Sequence, residues 1–438
     1  MTTTTTKKIW NLKPNSELRF EIQHSGQYKK QTLKLKLVDG MAEIFGVELV
    51  KNKEYVFSSG QNGALFTYRG CRIESEGEGV DLNSDLYQSE DSIMNDVLTI
   101  HGTLQDLRAE AEDMEEDGPR VAIVGPKDTG KSSVASILTA YAVRTGYEPI
   151  FVELDVAQGN AASTGSMSAS QIDGSCLNAE IGLEMLCPIT YFFGHQHPSV
   201  NKLVYSNIVD RLAEHINNRL ESAGAKKSSG LIVNTSSWVE GREAYGHLKS
   251  VLVKLGITTV IVTKEKLRAR LKSDIGNTVD VIYLASPPGV VTREKDHRKD
   301  ISNRQLKRYF YGSPSAYSGK LLPASLGLKF DEIEVYAVDQ TFEIGDHMKP
   351  MGREASIDQS KLRRVTDASK LRNKVLALVQ AKSSDDVIRC KACVAGFVHV
   401  ALVEKDDEGS DILTITAPSS NRYDSKYYVV GDITWTEM

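Results

Sequence analysis

A four-residue apolar strand, Val121–Val124, runs straight into Gly125-Pro-Lys-Asp-Thr-Gly130-Lys131-Ser132, and the chain continues as a helical stretch, Lys131–Thr145, closed by Gly146. No other feature limits the fold as much. A glycine loop between a buried strand and a helix belongs to sheets in which parallel strands alternate with covering helices. The glycines let the backbone curl so that successive N–H groups converge on a phosphate, with the positive end of the helix behind them. Gly125, Pro126, Lys127, Asp128, Thr129, Gly130, Lys131, Ser132 and Ser133 form the expected cradle for a nucleoside triphosphate. Lys131 supplies a cation for the β- and γ-phosphates, and the Ser132 hydroxyl completes the coordination of Mg²⁺.

The texture along the chain supplies the rest of the architecture. Leu33, Leu35 and Leu37 alternate with polar residues, and short apolar runs follow at Ala42–Ile44, Val47–Val50, Tyr55–Phe57, Ala64–Tyr68 and Arg72–Glu74. Glycines punctuate them, the pattern of a small sandwich or barrel. Val97–Ile100 reads as one more strand, and Leu104, Leu107, Ala111 and Met114 recur at helical spacing up to Gly118-Pro119. From Arg120 strands and helices alternate: strands at Pro149–Leu154, Leu231–Thr235, Thr258–Val262 and Val279–Ala285, helices at Leu203–Leu220, Tyr245–Leu255 and Lys264–Asp274. Beyond Leu328 the β texture returns, including a run at Val387–Val403, while the polar, basic Ser356–Leu376 reads as a loop or peripheral helix. At 438 residues the chain exceeds one ordinary core. Three units are expected: 1–100, 101–328 and 329–438.

With 40% apolar and 25% charged residues the chain reads as globular, and no stretch approaches the roughly 20 apolar residues of a membrane-spanning helix. No membrane role is expected. Five scattered cysteines do not make a disulfide framework and fit a reducing compartment. Cys390-Lys-Ala-Cys393 lacks the second pair of a zinc site, and His195-Gln-His197 lacks a third ligand nearby, so packing is the expected role of both. The net charge of −5 means that nucleic acid would need a local basic strip.

Three further features lie around the cradle. Phe151-Val-Glu-Leu-Asp155 places Asp155 at the end of a neighbouring strand, with Gln158 one turn on. Asp155 there holds Mg²⁺ through water, accepts the proton of an attacking hydroxyl, or simply caps a turn. The strip from Arg293 through Arg298 and Arg304 to Arg308 is the basic segment required, either a lid that neutralises phosphate charge or a solvated helix face. Trp238 follows the strand Leu231–Thr235, where an indole either stacks on a base or packs.

Together these segments resemble the polynucleotide 5′-hydroxyl kinase family of the pre-mRNA cleavage/polyadenylation and tRNA-splicing machinery. The likeness runs through Met41-Ala-Glu-Ile-Phe-Gly46, Gly118-Pro-Arg-Val121, the phosphate loop, Asp155-Val-Ala-Gln158 and Arg308-Tyr-Phe-Tyr-Gly312. It implies an α/β build: a central P-loop domain with a parallel sheet, between an N-terminal β-sandwich-like domain and a C-terminal, mainly β domain. It implies transfer of phosphate from ATP, with Mg²⁺, to an RNA 5′-hydroxyl end, in the nucleus, beside protein subunits of an mRNA 3′-end cleavage or tRNA-splicing complex. By position it makes Lys131, Asp155, Arg293 and Arg298 catalytic and puts Ser132 and Asp155 on the metal. Glu17 approaches the adenine. Gln158 and Trp238 face the RNA, and Thr164, Gly165 and Ser166 fall where the family clasps its phosphate loop. Here the clasp reads Thr-Gly-Ser rather than Pro-Gly-Thr, and Asn62 stands where a lysine is frequent. The competing expectations are an ATP-holding scaffold without turnover and an unrelated P-loop ATPase or GTPase.

Overall fold

The computed structural model describes residues 5–22, 31–158, 163–222, 224–290, 292, 295–338, 361–420 and 425–437. The first domain is a sandwich of two antiparallel sheets. Thr32–Gly40 buries Leu33, Leu35 and Leu37 and leaves Lys34 and Lys36 partly exposed, the period-two pattern of a strand with one wet face. It pairs with Cys71–Glu78 in a register that sets Lys36 opposite Glu74 and Lys34 opposite Glu76. A second sheet contains Ser16–Glu21 between Asn62–Thr67 and Leu86–Ser89, and Leu18, Phe20, Leu35 and Ile73 fill the space between the layers.

A 20-residue helix, Met94–Asp113, leads out of the sandwich. The apolar run at Val97–Ile100, expected as a strand, lies within this helix. Its buried positions (Met94, Val97, Ile100, His101, Leu104, Arg108 and Ala111) recur at helical spacing, and the long amphipathic period prevails over the short run.

The central sheet has seven strands. Ile150–Glu153, Leu231–Asn234, Arg120–Val124, Thr259–Val262 and Asp280–Tyr283 are parallel neighbours in that order. Two antiparallel strands, Ser166–Gln171 and Ile189–Phe192, extend the edge beyond Ile150–Glu153. Helices Lys131–Arg144, Lys202–Ser222, Arg242–Lys254 and Glu265–Ile275 accompany the sheet. Among the described residues no helix is long and apolar enough to cross a membrane.

The C-terminal domain is a seven-stranded mixed sheet, with Tyr427–Thr434 parallel to Glu334–Ala337 and antiparallel to Lys374–Gln380. The run expected as continuous strand at Val387–Val403 divides into a short helix, Ser384–Ile388, and a strand, Cys393–Lys405. Ser383 and Asp386 form a reciprocal capping box that starts the helix against the β-propensity of the valines. Cys390 is buried at the turn between them, and burial pushes its thiol up to about 12. Of Ser356–Leu376, residues 356–360 lie outside the described set; the rest holds the two-residue strand Arg363–Arg364 and a 3₁₀ turn at Ala368–Leu371.

The central and C-terminal domains meet backbone to backbone. Asp432 N donates to Gly194 O at 2.9 Å, and Phe192 meets Phe397 edge-on at 5.4 Å. The helix Lys295–Tyr311 reaches every unit. Phe310 stacks on Trp435 at 5.0 Å, Arg304 donates to the Ser59 carbonyl at 3.2 Å, and Arg298 pairs with Asp128.

Candidate active site

The phosphate loop has the backbone its glycines suggest. Gly130 sits at φ +78° immediately before the helix Lys131–Arg144, and a Cβ there would lie 2.8 Å from the Pro287 ring. A Cβ on Gly125 would lie 1.9 Å from Thr263 Oγ1. Neighbours close both positions to larger residues, and at Gly130 the left-handed backbone does so as well. The Lys131 ammonium is buried and folds back to donate to the Pro126 carbonyl at 2.8 Å. Burial lowers its pKa, while the carboxylates of Asp155, Glu153 and Asp128 act the other way.

Ser132 is held by two neighbours. Its Oγ donates to Gln158 Oε1 at 3.1 Å and accepts from Asn234 Nδ2 at 3.0 Å. The same Asn234 amide reaches both oxygens of Glu153, at 2.8 and 3.0 Å. Glu153, 1% exposed at the end of its strand, also accepts from Asp155 N at 2.9 Å. Glu153 lies inside the strand, whereas the acid expected from the sequence, Asp155, lies just beyond it. A charged residue inside the apolar run Ile150-Phe-Val-Glu153 was the available signal, since a buried carboxylate requires partners.

Asp155 is buried, accepts from Ala157 N at 3.2 Å and from Gln158 Nε2 at 3.3 Å, and acts electrostatically on Lys131. Turn cap and site carboxylate are therefore one side chain. The oxygen-rich set of Ser132, Asp155 and Glu153 suits a hard cation such as Mg²⁺. Among the described residues no cluster of three or more His, Cys, Asp or Glu could hold a metal by itself, so the triphosphate would have to supply further ligands.

A cavity opens from the loop toward the sandwich. Glu17, Phe20, Asn62, Tyr87 and Met94 line its far end, Gly130 to Val134 its near end, and Pro287, Gly289 and Val290 close one side. Glu17 lies on that wall, paired with Arg19 Nε at 2.6 Å and accepting from Ser92 Oγ. The closing segment Pro287–Val290 carries no charge, and nothing in its residues marks it for the place it takes against Arg19.

The helix Lys295–Tyr311 crosses above the loop. Arg298 Nη2 pairs with Asp128 Oδ2 at 2.6 Å, whereas Arg293 lies outside the described residues. Thr164, Gly165 and Ser166, expected where the family clasps its phosphate loop, form a buried turn beneath the lid helix. Thr164 Oγ1 bonds Ser302 Oγ of this helix at 2.7 Å, Gly165 packs on Ile433 and Gly194, and Ser166 Oγ bonds the Ser163 carbonyl. Gly165 N also donates to the carbonyl of Val156, the residue after Asp155, at 2.8 Å.

Trp238 is half-buried between two histidines, with ring centres 5.8 Å from His197 and 5.5 Å from His247. Ser199 N donates to His197 Nδ1 at 3.3 Å, which leaves Nε2 as the donor of the neutral ring. Burial lowers the His197 pKa, helped by Lys127 and opposed by Asp155. The indole therefore stands at the mouth that Lys127 and Asp155 share.

His247 and the buried His101 both have pKa values lowered to about 4, chiefly by burial. The unfolded chain takes up protons at these rings near pH 6.5, whereas the folded chain does so only near 4. Stability should therefore fall as the pH drops from about 6.5 to 4. Urea midpoints across that window should rise at the acid end in a His101→Phe/His247→Phe double variant relative to wild type; parallel pH profiles would reject this assignment.

The three parts of the chain match three described domains. Residues 11–111 match the N-terminal beta-sandwich domain of polyadenylation factor, 125–312 the mRNA cleavage and polyadenylation factor CLP1 P-loop, and 321–437 the pre-mRNA cleavage complex II protein Clp1. The chain belongs to the Clp1 family. Clp1 relatives named polyribonucleotide 5′-hydroxyl-kinase Clp1 in Gallus gallus and Homo sapiens are each 34% identical over 430 residues, covering 98% of this chain and 96% of theirs. The protein CLP1 homolog of Anopheles gambiae is 35% identical over 425 residues, 97% of this chain and 96% of its own. The Clp1 fold is also seen in the wild-type Clp1p–Pcf11p complex, with a TM-score of 0.84 at 20% identity over 100% of this chain and 99% of that one.

Proposed function

We propose that this chain is an ATP-dependent polyribonucleotide 5′-hydroxyl kinase acting in pre-mRNA 3′-end cleavage/polyadenylation, tRNA splicing or both, in the nucleus, beside a Pcf11-like subunit. The observation that carries the reading is the convergence of Lys131, Ser132, Asp155 and Gln158 beneath a helix whose Arg298 reaches the loop. The relatives' printed name and the full-length likeness support it.

ATP lies with its base between Glu17 and Met94 and its phosphates on the loop. Lys131 exchanges the Pro126 carbonyl for the β- and γ-phosphate oxygens. When bound, Mg²⁺ supplies charge neutralisation of those oxygens, and Ser132 and Asp155 are the residues that would hold it. The terminal RNA base stacks on Trp238. Asp155 accepts the proton of the 5′-hydroxyl as its oxygen forms a bond to the γ-phosphorus and the bond to the ADP oxygen breaks. Arg298, released from Asp128, stabilises the charge on the equatorial oxygens, and Arg293 has the same role.

The deciding experiment incubates purified protein with γ-labelled ATP, Mg²⁺ and a 5′-hydroxyl RNA oligonucleotide. Label at the RNA 5′ end is expected. Unlabelled RNA despite bound ATP would instead make the chain a nucleotide-holding scaffold, and hydrolysis without RNA would make it an ATPase. A second prediction concerns Arg298→Ala, which should lower kcat by about 10²-fold while changing ATP affinity only a few-fold. Equal losses in both would move Arg298 from the transition state to nucleotide holding.

A further inference from the structure

A second chamber adjoins the phosphate-loop helix; it shares Asn62, Ser132, Ser133 and Gln158 with the nucleotide cavity, and the rest of its wall takes no part in the reaction derived above. Ser133 and Ser136 of that helix, Phe151, Met185, and Gln305 and Arg308 of the lid helix are among its walls. Its composition is one-sided. No aspartate or glutamate lines it, and Arg308 is its single charged residue. The Arg308 guanidinium makes no hydrogen bond or ion pair among the described residues, and neither do the hydroxyls of Ser133 and Ser136. Glu184, the carboxylate acting on Arg308, lies outside the lining and already accepts from Asn178 Nδ2 at 3.1 Å and Tyr317 N at 3.3 Å. Gln305 accepts from Thr164 through its oxygen, so its amide N–H groups remain available.

A partly buried guanidinium without an ion pair is costly, and a planar fork beside a hydroxyl and an amide offers more donors than a carboxylate can use. A phosphate presents three oxygens to such a set. The apolar walls, Phe151 and Met185 among them, suit an organic body behind the phosphate.

We propose that this chamber is a second ligand site, adjoining the ATP cradle, that binds a small phosphate monoester with its phosphate on Arg308, Gln305 and Ser136. Its occupant would bridge the phosphate-loop helix and the lid helix that carries Arg298, and so hold the lid against the loop. The site stands apart from the kinase reading, because it needs neither RNA nor turnover.

The test uses full-length protein saturated with a non-hydrolysable ATP analogue and Mg²⁺, so that the phosphate loop is filled, and titrates phenyl phosphate by calorimetry. One further saturable site is expected, at least tenfold weaker in Arg308→Met and in Ser136→Val. Inorganic phosphate should compete for it with at least tenfold lower affinity. Analogue affinity of each variant reports folding, and Ser136→Val carries the test alone if Arg308→Met does not fold. Absence of phenyl phosphate binding to the analogue-loaded wild type would overturn the proposal, as would equal affinity in wild type and the folded variants. Binding confined to analogue-free protein would place the anion on the phosphate loop and overturn it equally. Inorganic phosphate binding as tightly as phenyl phosphate would remove the organic body from the assignment.

Discussion

Lys131→Ala should lower phosphoryl transfer to RNA by about 10³-fold or more while leaving the fold intact. The ammonium is 4% exposed, so in the closed site its charge is little screened by water. Its contact with the Pro126 carbonyl is a resting position that a triphosphate can replace without moving the backbone. Removing it leaves the β- and γ-oxygens uncompensated at the moment charge develops on them, and leaves Asp155 and Glu153 without the nearby cation. Arginine should not rescue, because the buried slot fits a compact ammonium and not a planar fork. The label-transfer assay reads the loss, and circular dichroism with thermal melting checks that the protein remains folded. Transfer within a few-fold of wild type would remove Lys131 from the chemistry.

The second large effect concerns stability. A Cβ on Gly431 would stand 2.0 Å from the Gly194 carbonyl oxygen, a backbone atom on the facing turn. Gly194 itself sits at φ +78° and can withdraw only by breaking its bond to Asp432 N. Gly431→Ala must therefore part the central and C-terminal domains along this seam, at a cost on the order of 4 kcal/mol or more. Gly327→Ala is the contrast. It lies on an exposed strand whose nearest neighbour to the new methyl is Ile412 Cγ2 at 3.8 Å, and its effect should stay within about 0.5 kcal/mol. Denaturant unfolding of both variants checks the pair; similar midpoints would show that the seam tolerates the methyl.

Local patterns were readable wherever one face of an element decides its fate. Leu33, Leu35 and Leu37 announced a sandwich strand, and the strand–loop–helix around Gly125 announced the parallel sheet. The edge strands were hidden because Ser166, Ser168 and Ser170 alternate with Met167 and Ala169, a composition that suggests a loop. They are strand because both faces are covered and the hydroxyls find partners, such as Ser168 with Thr190 at 2.9 Å. The phosphate cradle needed only neighbouring residues and could be read directly. Glu153, Asn234 and the histidines around Trp238 could not, since their roles depend on strands and loops far apart in the chain. The same holds for Thr164, since only packing decides that its hydroxyl faces Ser302 of the lid helix.

The 17-residue helix Lys295–Tyr311 has one end sunk among aromatic rings and the other over the nucleotide cradle. Such a rod cannot tilt at Trp435 without moving Arg298. Any protein that grips the C-terminal sheet and favours one tilt therefore changes how firmly ATP is held, and thermodynamic reciprocity makes ATP change that protein's grip by the same factor. Recruitment into an assembly and occupancy by nucleotide thus become two readings of a single equilibrium.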